Sequence, residues 1–134
     1  MLRAVIAPNL AFTGNVQSVI LSADVNLSTT NVYFDGPSVN VGATGTWWVY
    51  GSVALSDVGA ATFQGKLWDG NTVIQSGVAR FQAGGVSGEF GGSITNPTGN
   101  VRISVRNITA NTGAIKANLS TVGADSVIYA FQIR

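Results

Sequence analysis

Six carboxylates hold nearly all the acid chemistry this chain could perform: Asp24, Asp35, Asp57, Asp69, Glu89 and Asp125. Brought together in space, a pair of them would suit a glycosidase, and a cluster of their oxygens would hold calcium. Each is isolated in the sequence, however, and most stand beside a turn residue. Aspartate at such a position bonds its own backbone, which accounts for Asp35 and Asp69 and extends to Asp57 and Asp125. Histidine and cysteine are absent from all 134 residues. That removes Ser-His-Asp arrangements, thiolate nucleophiles, disulfides and Cys/His metal sites. No phosphate cradle is offered either, because Gly65-Lys66 falls inside a strand pattern and Gly91-Gly92 precedes no helix. The sequence predicts no enzyme activity, no cofactor and no metal.

Aromatic residues are the next candidates. Trp47, Trp48, Tyr50 and Trp68 could form a stacking platform for sugar rings; alternatively Trp47 is core, while Trp48 and Tyr50 fill a subunit interface, where aromatics are enriched. Arg102 and Arg106 leave the side of their strand that is expected to stay wet, with Ser104 between them, a pattern open to an anionic ligand, to simple solvation or to pairing between subunits. Two arginines are too few to track phosphates, and seven Lys plus Arg against six Asp plus Glu leave a formal charge of only +1, so no nucleic-acid partner is expected. Sequons at Asn26-Leu27-Ser28, Asn107-Ile108-Thr109 and Asn118-Leu119-Ser120 carry little weight in a chain rich in Asn and Thr.

The elements that must position these residues read as strands. Charged residues are 10% of the chain, where about 25% is ordinary, and 17 glycines with Ser, Thr and Asn take their place. Residues 4 to 23 are uncharged, but Pro8, Asn9, Gly14, Asn15, Gln17 and Ser18 make them too polar for a membrane span and a poor signal peptide. Beyond them, period-two patterns recur with no sustained helical period. Strands are expected at Val16 to Ser22, around Val32 to Phe34 before an Asp35-Gly36-Pro37 turn, and at Thr46 to Ser56. A hairpin follows from Ala61 to Arg80 about Asp69-Gly70. Gly84-Gly85 then breaks the chain before a weak, glycine-rich strand, Val86 to Thr95, that could bulge. Further strands run from Asn100 to Ile108, Ala114 to Leu119 and Ser126 to Arg134. About eight antiparallel strands of this spacing make a two-sheet jelly-roll sandwich, with residues 1–15 as an N-terminal arm and 16–134 as the domain. Val49, Val53, Leu55, Phe63, Leu67, Val101, Ile103 and Val105 occupy the apolar phases and form its expected core.

The segments Asp35-Gly36-Pro37-Ser38-Val39, Gly45-Thr46-Trp47-Trp48-Val49-Tyr50-Gly51-Ser52-Val53, Lys66-Leu67-Trp68-Asp69-Gly70, Gly99-Asn100-Val101-Arg102-Ile103-Ser104 and the ending Asp125 to Arg134 occur in an order that resembles small jelly-roll virion proteins of tailed bacteriophages. These are capsid decoration or cement proteins and fibre modules. More distantly the order resembles the trimeric heads of the tumour-necrosis-factor superfamily. The resemblance covers about residues 24 to 134, and its motifs are strand and turn patterns, not catalytic signatures. It implies a structural virion protein, made in the host cytoplasm, that binds the major capsid protein on the outside of a phage head. With only a short leading segment, the chain looks more like a free-standing decoration protein than a fibre tip, and the segment would be an arm on the shell. A carbohydrate-binding module or a receptor-binding fibre tip is the alternative, so glycan binding stays open; a membrane is not expected.

Assembly is foreshadowed by the last strand. Val127, Tyr129, Phe131 and Ile133 share one side while Ile128 and Ala130 are apolar on the other, and apolarity on both faces implies burial on both. A homo-oligomer follows, a trimer by resemblance or a dimer across a twofold axis. Trp48, Tyr50, Arg102, Arg106, Ile128, Tyr129 and Phe131 are the expected interface residues.

Overall fold

The computed structural model describes residues 14–134, and among them the alternating segments become ten strands with no helix. In chain order these are β1 (Val16–Ile20), β2 (Val25–Asn26), β3 (Phe34–Val39), β4 (Thr46–Asp57), β5 (Ala61–Trp68), β6 (Val73–Phe81), β7 (Gly84–Thr95), β8 (Val101–Asn107), β9 (Ala114–Lys116) and β10 (Val127–Gln132). The expected arm, residues 1–15, lies almost entirely outside the described residues.

All pairing is antiparallel, in two sheets. Sheet A is built around β4. One edge of β4 takes β10 along Trp47 to Ser52 and then β9 along Ala54 to Ser56, while the other takes β7 along its whole length. Outside these, β1 extends the sheet beyond β10 and β2 beyond β9. Sheet B has the order β3-β8-β5-β6. Because the chain passes repeatedly between sheets, its strands wind as a jelly roll.

Each of the eight expected core residues is at most 4% exposed. Leu27, Val39, Trp47, Ala61, Phe90, Ile94, Ile115, Ile128 and Ala130 complete the same cluster. Alternation alone selects these side chains, since every second residue of a strand points to one face.

Three expectations need correction. Asp35-Gly36-Pro37 does not turn the chain; it lies inside edge strand β3, where the register with β8 shifts between Asp35 and Ser38. A Cβ on Gly36 would come within 3.1 Å of the Ile103 carbonyl oxygen and 3.2 Å of Ile115 Cδ1, so the glycine admits a bulge against the core, and an edge tolerates the proline. Second, Gly84-Gly85 opens β7 rather than separating strands, and β7 pairs with β4 without a bulge over twelve residues. A glycine of β5 leaves room for one of the large side chains of β7: the Phe90 ring reaches across to sheet B, where a Cβ on Gly65 would meet its Cζ at 2.6 Å. Third, the outer side of β8 is not simply wet, because Ser104 is completely buried.

Candidate functional site

The carboxylates do not converge. Among the described residues no three Asp, Glu, His or Cys side chains group to hold a metal ion. Asp69 closes the β5–β6 turn, accepting from the Asn71 and Thr72 N–H groups on one oxygen and from the Thr98 N–H and hydroxyl on the other. Burial pushes its pKa up, but the N–H bonds from Thr98, Thr72 and Asn71 outweigh it and hold the value at about 2, against an ordinary 3.8. Asp57 accepts from Gly59 N–H, Asn107 Nδ2 and the Thr112 hydroxyl. Asp125 accepts from Ser120, and Asp24 pairs with Lys116. Asp35 departs from the expected turn chemistry: its partners are the Ser104 hydroxyl and Arg102, across the sheet.

The depressed pKa of Asp69 sets a pH dependence. A group whose folded pKa is lowered contributes stability that is complete above its unfolded value and is lost as pH falls through the folded value. Here that window runs from 3.8 down to about 2. Asp69→Asn, which cannot accept from Thr98 and from the turn together, is expected to lose about 1–3 kcal/mol at about pH 5. Urea midpoints of wild type and variant should approach one another as the pH is lowered through that window; a constant gap would assign the loss to something other than the carboxylate.

Two of the aromatic candidates, Trp48 and Tyr50, lie on the outer face of sheet A, where Tyr129 and Phe131 join them, while Trp47 is in the core. Strand register sets Ser18, Tyr129, Tyr50 and Gly91 in one row and Val16, Phe131, Trp48 and Ser93 in the next. Trp48 is 47% exposed, and Tyr50 and Tyr129 38% each, with Val16 and Ile20 also exposed at the edge strand. Gly91 makes this face flat: a Cβ there would touch the Tyr50 ring at 3.5 Å and Trp48 at 3.8 Å, so both rings lie against bare backbone. These two rows carry no charge, and Glu89 stands in the adjoining row, opposite Ser52. The Tyr50 hydroxyl donates to it, and this bond raises the Tyr50 pKa above its usual value. Rings and hydroxyls without an acid–base pair can bury area or stack; they do not supply bond-breaking chemistry.

Two groups of expected interface residues fall elsewhere. Ile128 points between the sheets and is fully buried, because its neighbour Tyr129 takes the outward phase of β10. Arg102 and Arg106 lie on the outer face of sheet B, with Trp68, on the opposite side of the sandwich from Trp48 and Tyr50. Trp68 is therefore no part of a shared stacking platform: Lys66 Nζ sits 3.4 Å from its ring centroid and its indole N–H donates to Ser104. Sequence reasoning missed Lys66 and Tyr33 in this group. The outward phase of β5 marks Lys66 and Trp68, but only the pairing of β5 with β8 brings them to the arginines.

No protein-family model matches the chain. No curated protein is similar to it in sequence. Among solved structures it is similar to Eiger TNF from S. frugiperda, with a TM-score of 0.59, 13% identity, and 89% of this chain and 92% of that one covered. It is also similar to a protein of Bacillus endospore appendages, described as disulfide-linked pili (TM-score 0.48, 10% identity, 90% and 88% covered). A third is the C-terminal CBM6 of LamC from Zobellia galactanivorans (TM-score 0.41, 14% identity, 94% and 95% covered). At these identities the likeness shows the fold alone, and a jelly roll hosts many functions. The TNF-like half of the expected resemblance thus holds for architecture, while no phage family is shown.

Proposed function

We propose that this chain is a structural virion protein that self-associates through the outer face of sheet A and decorates a bacteriophage head as a cement protein. The observation that carries the reading is the exposed set Trp48, Tyr50, Tyr129 and Val16 on one flat, almost uncharged face. Exposed aromatics gathered on one face mark interaction sites. A trimer is the favoured assembly. The order of the strand and turn motifs along the chain supports the virion role, and the scarcity of charge and absence of thiols suit a durable particle surface whose work is area burial. Residues 1–15 would act as an arm on the shell, and the major capsid protein would be the partner.

Native mass spectrometry of the isolated protein, followed by incubation with empty capsids and sedimentation, tests this. A discrete oligomer that cosediments with shells is expected. A monomer that leaves shells bare but binds an oligosaccharide, with loss of binding in Trp48→Ala, would give the aromatic face to a sugar and overturn the reading.

A further inference from the structure

The outer surface of sheet B carries a feature that self-association through sheet A does not use. Arg106, Tyr33, Lys66, Trp68 and Arg102 alternate cation with ring. The Arg106 guanidinium lies 4.7 Å from the Tyr33 centroid, Lys66 Nζ 4.1 Å from Tyr33 and 3.4 Å from Trp68, and the Arg102 guanidinium 5.1 Å from Trp68. Cations over ring faces are held in place by the ring quadrupole. Arg80, opposite Thr62, adds a fourth positive charge to the same face.

Asp35 is the one carboxylate on this ladder, 3.1 Å from Arg102 Nε. Arg106 spends Nε and Nη2 on Gln64, at 2.8 and 2.6 Å, and Arg102 spends Nη1 on the Asn100 carbonyl. Lys66 makes no ion pair or hydrogen bond among the described residues. Burial lowers its pKa, and the neighbouring charges of Arg106 and Arg102 lower it further, against a smaller opposing pull from the Asp35 carboxylate. An ammonium placed so, between two guanidiniums, has only Asp35 to offset it, and Asp35 is already paired with Arg102.

We propose that this ladder is a docking surface for a carboxylate-rich segment of a partner protein. Four cations against one acid leave charge for such a segment to neutralise. A sugar or a nucleobase fits less well, since both stack on open ring faces and here the cations cover them. The preset geometry of the cations reduces the ordering cost of binding. The inference rests on the sheet B face alone and not on self-association, and in the virion reading the shell would present the acidic segment.

Poly-glutamate is the probe, titrated into the full chain by calorimetry at low salt. Saturable binding that weakens as salt rises is expected. Lys66→Met keeps the stem between the rings and removes the charge; it should weaken binding by about tenfold or more, with native mass and thermal unfolding unchanged. Asp35→Asn, which removes the competing carboxylate, should tighten it. No binding by the wild type, unchanged affinity in Lys66→Met, or no tightening in Asp35→Asn would overturn the proposal. So would tighter binding of a heparin oligosaccharide or oligo-dT than of poly-glutamate. A change in native mass in either variant would mean that copies of this chain meet through sheet B and would also overturn it; with native mass unchanged, this reading and the sheet A reading fail separately.

Discussion

Tyr129→Glu is expected to yield a folded monomer, whereas Ile128→Glu, one residue away, is expected to yield no folded protein. The pleat of β10 turns Tyr129 outward, 38% exposed, and turns Ile128 fully into the core beside Ala130. A glutamate at position 128 would lose the packing of a buried isoleucine and place a charge where no partner waits. The combined penalty is on the order of 5 kcal/mol or more, comparable with the whole stability of a domain this size. At position 129 the glutamate stays in water in the monomer, so the fold should change by less than about 1 kcal/mol. In an assembly built on sheet A the same side chain would be buried against a neighbour, and at a central aromatic the loss in association is about 2 kcal/mol or more. Thermal unfolding and native mass, measured on both variants, read the two effects apart. Retention of the oligomer by Tyr129→Glu would show that the aromatic face is not where the copies meet.

The same pleat explains how much of the molecule is legible in its sequence. Eight core positions follow from alternation, because burial selects one phase of each strand and the phase is visible in β4, β5 and β8. Strand ends and bulges are less visible: Asp35-Gly36-Pro37 has turn chemistry, and only its packing against Ile103 and Ile115 shows that a bulged edge strand uses it. The candidate site is legible as a set of residues, not as a surface. Trp48, Tyr50 and Tyr129 belong together through the β4–β10 register, while Arg102, Arg106 and Trp68 belong together through the β5–β8 register. Which strands pair is a non-local fact set by tertiary packing. A sequence-based reading can therefore place each side chain on a face of its own strand and still merge two opposite surfaces into one interface.

Asn107 shows what a polar residue in an apolar phase signifies, and its replacement is the second large effect expected. It follows Val101, Ile103 and Val105 at the same period and is fully buried, so its sequon does not present it for glycosylation. Its Nδ2 donates to Asp57 Oδ2 at 3.1 Å and to the Thr112 carbonyl at 2.9 Å. Its Oδ1 accepts from the Thr109 N–H and hydroxyl and from the Ala110 N–H. One amide thus fixes the loop after β8 to the end of β4. Asn107→Leu fills nearly the same volume but strands the loop's backbone partners and takes one of its donors from a buried carboxylate, and should cost on the order of 3–5 kcal/mol in urea unfolding. Asn107→Asp separates the two halves of the network, keeping the acceptor for Thr109 and Ala110 while setting a second carboxylate against Asp57. Two adjacent carboxylates resist joint ionisation, so one folded-state pKa is raised and the variant gains stability on mild acidification as that group takes a proton it can donate. Wild type has no such gain, and Asn107→Leu should show none either. A urea midpoint for Asn107→Leu equal to that of wild type, or an Asn107→Asp variant whose stability ignores mild acid, would mean that the loop is held by its backbone alone.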